Sequence, residues 1–471
     1  MKDKYQPTLE SLDTHPLPEW FDDAKLGMFI DWGLYSVPGW APQVGTGAFY
    51  PDWYLWKMYH MPRTIIYHRK TWGRDFECDD FIPLFTASEY DPQDIVQLAM
   101  ESGMRYIIPF SKMCDGFCLW GSSYSNRTSV KLGPKRDLIR PLVDACREAD
   151  LKFGFYICID EWVYPIIGPN EESLIRIWKY YGWNQNDVNK IYDYVELVPY
   201  DNKYEKRITG KIPVKDFFSD YIIPQAKEFI ENYDPDLFWL DGEVGETADK
   251  RKSTEIVAFY YNQAEGRKEV VVNDRLGGDT RGNHGDYFTS EFHDGYMSLT
   301  HKWEECRSPG HNYGYYKDEK EEDVLTDEQL IHMFIDIVSQ GGNLLLMLNL
   351  TGLGAIPPLY TKRFKALGKW LEINGEAIYA TRMWKDWKED ENVRFTRSKD
   401  GKYVYAISLK WEGNQFTSKI LRPKENSKVY MLGVEDNLEW RINNGELIIK
   451  IPPEISSKKP CEHAWAFKIE L

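Results

Sequence analysis

The segment Pro235-Asp236-Leu237-Phe238-Trp239-Leu240-Asp241-Gly242 sets a carboxylate at the tip of a four-residue apolar run. Leu237 to Leu240 read as a strand buried on both faces. Such a strand has no structural need for an acid at its C-terminal end, and in an α/β barrel that end is where catalytic groups stand. Asp241 is therefore the first candidate for nucleophilic or acid–base chemistry. An Asp-Gly turn closing the strand explains the same two residues without any chemistry. Thiol and metal chemistry have weaker support. Cys78, Cys114, Cys118, Cys146, Cys158, Cys306 and Cys461 form an odd, dispersed set, which is no disulfide framework. Cys114 and Cys118 lie four apart, but no second pair stands at metal-site spacing, and no zinc is expected.

An acid at a strand tip needs a sheet to hold it. Over the first 375 or so residues, helical periodicity alternates with short apolar strands. Lys25 to Ile30 is an early strand. A helix over 91–103, opened by Asp91-Pro92-Gln93-Asp94, leads into the strand 106–110. Helices over 137–149, 217–233, 254–265 and 327–339 lead into strands at 153–157, 237–240, 269–272 and 343–348. Repeated helix-then-strand units imply a parallel sheet, and their number suits a (β/α)8-like TIM barrel better than an open sheet. The stretch 168–213, rich in Tyr, Asn, Asp and Lys, breaks the rhythm and reads as a long connection over the active-site face. After a helix over 362–374 the pattern changes to short strands at 393–396, 403–409, 429–432, 447–451 and 464–469, separated by turns such as Lys399-Asp400-Gly401 and Asn443-Asn444-Gly445. The expected organisation is a catalytic barrel over 1–378 and an antiparallel β-sandwich over 379–471.

Charge narrows the partners. Fifty-eight basic residues against 74 acidic ones leave a net charge of −16, which disfavours nucleic acid and anionic membrane surfaces. No apolar stretch approaches ~20 residues, so no membrane span is expected. Met1 to Pro7 carries no hydrophobic signal core; the expectation is a cytoplasmic protein, or a periplasmic or secreted one from which a leader was removed. An aromatic content of 15% suits stacking on sugar faces as well as a large core. Self-association is left open.

Several collinear motifs together resemble the α-L-fucosidase family of retaining glycoside hydrolases. They are the block Trp20 to Pro38, containing Gly27-Met28-Phe29-Ile30-Asp31-Trp32-Gly33; Asp52-Trp53-Tyr54 with Met58; Lys112 to Trp120; Asn273-Asp274-Arg275; Gly285-Asp286-Tyr287; Trp303-Glu304; Gly341 to Leu346; and Asn374 to Tyr379. They span nearly the whole chain. The resemblance implies a TIM-type barrel followed by a β-sandwich, and double displacement without metal or organic cofactor on a glycoside or oligosaccharide with a terminal α-L-sugar. It places the nucleophile at Asp241 and the acid/base at Glu291, two carboxyls that a retaining enzyme holds ~5–5.5 Å apart. Glu243, Glu246, Glu304 and Glu305 are rivals for the acid, each also readable as a solvated loop carboxylate. Arg275 falls where the family has an arginine near sugar and nucleophile, a structural salt bridge being the alternative. Trp53 falls on a ring lining the sugar pocket, Asp52 where the family often has Glu, and Tyr313 where an aromatic packs on the fucose methyl. Trp239 reads equally as pocket wall and as core.

The departures gather where sugar hydroxyls are read. The family's Ile-His-Trp-Gly is here Ile30-Asp31-Trp32-Gly33, its Lys-His-His-Asp-Gly-Phe is Lys112-Met113-Cys114-Asp115-Gly116-Phe117, and a family tyrosine is Ile157. All three histidines that grip fucose hydroxyls in the family are replaced. Leaving buried polar groups unpaired costs ~1–3 kcal/mol each, so these changes are large enough to shift specificity by orders of magnitude. The expectation is a retaining exo-α-L-glycosidase whose sugar is an α-L-glucoside or α-L-galactoside rather than ordinary fucose. The alternatives are an α-L-fucosidase with unusual recognition and an inactive carbohydrate-binding homologue.

Overall fold

The computed structural model describes residues 3–42, 49–162, 209–242, 246–293 and 300–471. Most of the connection expected over 168–213 lies outside them, as does Glu243.

Eight parallel strands carry the first domain: β1 (Leu26–Asp31), β2 (Tyr106–Lys112), β3 (Lys152–Cys158), β4 (Leu237–Asp241), β5 (Val271–Val272), β6 (Phe288–Glu291), β7 (Trp303–Arg307) and β8 (Gly342–Asn349). Their order, β5-β4-β3-β2-β1-β8-β7-β6, leaves one seam. There Asn273 bridges Tyr287 in parallel and the Asp286 amide donates to the Val272 carbonyl at 3.0 Å, so the strands curl into the expected barrel. Helices Pro92–Glu101, Arg140–Glu148, Ile223–Tyr233, Ser253–Ala264, Asp327–Ser339 and Pro358–Asn374 cover the outside. The first starts at Asp91, whose side chain accepts from the Gln93 amide at 2.8 Å, as its sequence indicates. Strands β6 and β7 escape the apolar-run criterion for a physical reason. They carry Glu291 and Glu304 on the inner face and Glu305, paired with Ser290, on the other, so no apolar run marks them.

The barrel interior below that site is aromatic. Phe110 stacks on Tyr156 with centroids 3.9 Å apart, and Phe29 of β1 reaches Trp239 of β4 at 5.2 Å. Rings from strands that are not neighbours meet only if both point inward. This plug gives the strand tips a rigid floor.

The second domain pairs two antiparallel sheets. One has the order β13-β16-β11-β10-β9, with β9 (Thr381–Lys388), β10 (Val393–Ser398), β11 (Tyr403–Ser408), β13 (Val429–Met431) and β16 (Trp465–Glu470). The other has the order β12-β15-β14, with β12 (Gln415–Ser418), β14 (Trp440–Asn443) and β15 (Glu446–Lys450). Phe416 and Phe467, from opposite sheets, stack at 4.5 Å in a core shared with Phe395, Leu447 and Ile449. No described helix is long and apolar enough to cross a membrane.

A charged joint fastens the domains. Asp22 accepts from Lys302 at 2.8 Å, Lys25 at 3.1 Å and Arg382 of β9 at 2.7 Å, and both lysines are buried. Burial opposes ionisation of Asp22, yet the charges of Lys302, Lys25 and Arg382 outweigh it and hold the carboxyl below its usual range. Asp22→Ala leaves two buried ammonium groups without their shared counter-charge, so a loss of ~3–5 kcal/mol in denaturant unfolding is expected. The sign follows from the lowered pKa. The stability Asp22 contributes is present above about pH 4 and is lost as pH falls further, so the gap between wild type and variant should narrow in acid.

Candidate active site

Asp241 closes β4 with its side chain on the inner face. In the β3–β4 pairing, Tyr156 lies beside Trp239 and Cys158 beside Asp241, and strand alternation sends all four inward. The Tyr156 hydroxyl donates to Asp241 Oδ2 at 2.7 Å. Burial and the adjacent Asp241 charge push its pKa well up, so Tyr156 stays a donor. Asp241 Oδ1 faces Arg275 Nη1 at 3.6 Å, and Arg275 Nη2 contacts Glu291 Oε1 at 2.5 Å. One guanidinium thus touches both carboxyls, at the tips of β4 and β6, in a recess where each keeps about a quarter of its side-chain surface open (24% and 23%).

Arg275 is itself held from three sides. Its Nε–H donates to Thr289 Oγ1 at 2.8 Å, and Thr289 donates to Asp274 Oδ1 at 2.7 Å. Its plane lies 4.5 Å from the Trp239 ring, a cation–π contact in a dry setting. Trp239 Nε1–H in turn donates to Glu304 Oε1 at 3.3 Å, and Tyr106 donates to Glu304 Oε2 at 2.5 Å. Trp239 therefore belongs to the core and supports the site through Arg275. The rival acids have structural duties. Glu304 is fully buried with those two donors, and Glu305 accepts from Ser290 and from the His293 amide. Burial pushes both up to about 7. Glu246 pairs with Lys250 on the surface at 2.6 Å.

Three of the positions expected to read the sugar are revised by the structure. Met113 lies next to Tyr156, its Sδ 3.3 Å from the hydroxyl. Cys114 is not a free thiol: it forms a disulfide with Cys158, their Cα atoms 5.4 Å apart. The pair is 44 residues apart in the chain and meets only because β2 and β3 are neighbours, which spacing does not reveal. Lys112 and Ile157 leave the sugar-facing set. They pair in register at the end of β2 and β3, and the Lys112 ammonium bonds Glu161 at 2.6 Å and Gln225 at 2.8 Å beneath helix Ile223–Tyr233. Alternation turns Ile157 outward and Tyr156 inward. Tyr156 is the Asp241 partner the chain pattern missed; strand parity relative to Asp241 was the only available signal.

On the far wall Asp31 accepts from the Tyr35 hydroxyl at 2.6 Å, and Asp52 donates its amide to the Tyr313 carbonyl at 3.3 Å. Tyr313 stacks on Tyr50 at 5.4 Å and gives its own hydroxyl proton to the Cys306 carbonyl at 2.7 Å. Trp53 packs against Trp56, Trp162 and Tyr50. Asp115 accepts from the Phe117 amide at 2.8 Å, and burial pushes it up to about 6.

Comparison with known proteins matches the same layout. The family model described as alpha-L-fucosidase covers residues 1–376, and that of the alpha-L-fucosidase C-terminal domain covers residues 387–470. The chain belongs to the α-L-fucosidase family. It is 32% identical over 476 residues to the plasma alpha-L-fucosidase of Homo sapiens, covering 99% of this chain and 92% of that one. Against the tissue alpha-L-fucosidase of Homo sapiens it is 33% identical over 473 residues, again 99% and 92%. The Thermotoga maritima alpha-fucosidase in complex with a mechanism-based inhibitor superposes with a TM-score of 0.78 at 34% identity, covering 99% of this chain and all of that one. The same Thermotoga enzyme in complex with fucose gives 0.77 at 33%. This protein is accordingly a glycoside hydrolase of the retaining kind.

Proposed function

We propose that this enzyme cleaves terminal α-L-glycosides with Asp241 as nucleophile and Glu291 as acid/base, and that its sugar is an α-L-galactoside or α-L-glucoside rather than ordinary fucoside. The observation that carries the catalytic assignment is the Arg275 fork, which touches both carboxyls at once. Asp241 Oδ2 is occupied by Tyr156, which leaves Oδ1 to attack the anomeric carbon. The C–O bond to the leaving group breaks as Glu291 gives its proton to the departing oxygen. Glu291, now a carboxylate, takes a proton from water, which attacks the anomeric carbon and frees Asp241. Arg275 faces the carboxylate charge that alternates between the two residues.

The sugar assignment rests on chemistry at the far wall. Asp31 presents a carboxyl where the family resemblance puts a histidine, and Tyr313 brings a hydroxyl to the place of a methyl-packing ring. Both changes favour a sugar with a C6 hydroxyl or a differently oriented 4-hydroxyl. A second reading keeps fucose itself, and the fucosidase names of its relatives favour it. The deciding measurement is kcat/KM on aryl α-L-fucoside, α-L-galactoside and α-L-glucoside. The expected result is at least ~10-fold preference for one of the hexosides, the scale of one recovered hydrogen bond. Clear preference for the fucoside removes the sugar assignment and leaves the catalytic one standing.

A further inference from the structure

The disulfide between Cys114 and Cys158 joins the chain just past β2 to the end of β3, beside the nucleophile, and no step of the glycosidic mechanism uses it. Cys158 lies next to Asp241 in the β3–β4 register. The amide of the following residue, Ile159, donates to the Asp241 carbonyl at 3.1 Å. On the other side Cys114 follows Met113, whose Sδ touches the Tyr156 hydroxyl, and that hydroxyl holds Asp241 Oδ2. Met113, Cys114, Cys158, Ile157 and Tyr156 thus form a closed ring of covalent links and one contact. Asp241 is attached to this ring by its side chain and, one residue on, by its backbone. The Cys114 carbonyl also accepts from the Trp162 amide at 2.8 Å, and Trp162 packs on Trp53 with centroids 5.4 Å apart.

Two thiols do not fit the space of one disulfide. Unbonded sulfurs keep a van der Waals separation about 1.5 Å longer than a covalent bond. Cys114 is 7% exposed and Cys158 2%, so little free volume is available to absorb that change. The two chain ends have to part, and they carry Met113, Tyr156 and the Ile159 amide with them. A misplacement of about 1 Å near a reacting group costs up to ~10²-fold in rate.

Resting on Asp241 as the nucleophile, we propose that the Cys114–Cys158 disulfide is a redox switch on the reaction. The oxidised enzyme holds Asp241 in its attacking position, and a dithiol reductant lowers turnover by letting β2 and β3 separate at their C-terminal ends. The exchange is balanced. A thiolate of the reductant attacks the sulfur of Cys114, the more open of the two, and Cys158 leaves and takes a proton. The second thiol of the reductant attacks the mixed disulfide, frees Cys114 as a thiol and closes the reductant into a cyclic disulfide. Two electrons pass to the enzyme, which gains two thiols.

The test is a titration of the intact enzyme with dithiothreitol under native conditions, well below its Tm. It uses whichever aryl α-L-glycoside is turned over. Alkylation after denaturation, read by mass spectrometry, counts the thiols. Cys78, Cys118, Cys146, Cys306 and Cys461 are free, so the oxidised enzyme takes up five alkyl groups and the reduced enzyme all seven. As the count rises to seven, kcat should fall ~10-fold or more and recover when oxidised glutathione replaces the dithiol. A crosslink that only stabilises the fold would lower Tm on reduction and leave kcat unchanged. The double variant Cys114→Ser/Cys158→Ser should show the kcat of the reduced enzyme with and without dithiol, which excludes an action on the other thiols. The wild-type titration decides without it. The inference is overturned if the fully reduced enzyme loses less than ~10-fold in kcat, if the count stays at five under native dithiol treatment, or if dithiol inactivates the double variant. Asp241→Ala with azide tests the nucleophile in either redox state, so the two readings can fail separately.

Discussion

Replacing Asp241 with alanine is expected to lower kcat on an aryl α-L-glycoside by ~10⁴-fold or more, with the fold retained. Asp241 is a quarter exposed at a strand tip and makes no contact that the barrel needs to close. Its partners outlast it: Tyr156 keeps Met113 as a neighbour, and Arg275 keeps Glu291, Thr289 and Trp239. The loss therefore reports chemistry. Deleting the carboxylate also opens a small space on the face opposite the leaving group, where azide can attack the anomeric carbon. Partial recovery of phenolate release with azide, and a glycosyl azide of inverted configuration by NMR, identify the missing group as the nucleophile. Undiminished activity in Asp241→Ala disposes of the mechanism.

Glu291→Ala is expected to show a different signature. An acid catalyst matters in proportion to how poor the leaving group is, so kcat should drop ~10²–10⁴-fold on a natural-type alkyl glycoside and much less on an activated dinitrophenyl glycoside. The contrast variant is Glu305→Gln. Glu305 sits next to the site but is engaged by Ser290 and the His293 amide, so its loss should disturb stability without selecting among leaving groups. If the leaving-group dependence appears in Glu305→Gln and not in Glu291→Ala, the acid has been assigned to the wrong carboxyl.

Much of this was legible along the chain because it is encoded by local periodicity. Leu237 to Leu240 announce a buried strand, and Asp241 after it announces a site, whatever lies around them. Strands that carry the site's own charges were harder to see. Trp303-Glu304-Glu305-Cys306-Arg307 forms β7 because Glu304 finds Tyr106 and Trp239 across the barrel, and no local rule foretells those partners. The polarity that hid the strand is the reason it lies where it does.

The surroundings of Asp241 show the same division at the level of single atoms. Motif order along the chain was enough to name the family and its retaining reaction and to mark the positions where the usual histidines are missing, since these depend on residue identity in a fixed sequence of motifs. Which of those positions face the sugar depends on strand parity and register, which are relations between segments distant in the chain. Folding turned Ile157 and Lys112 outward, brought Tyr156 onto Asp241 and joined Cys114 to Cys158. Each outcome follows from which side of a pleated strand a residue occupies and which strand lies next to it, and neither is fixed until the barrel closes.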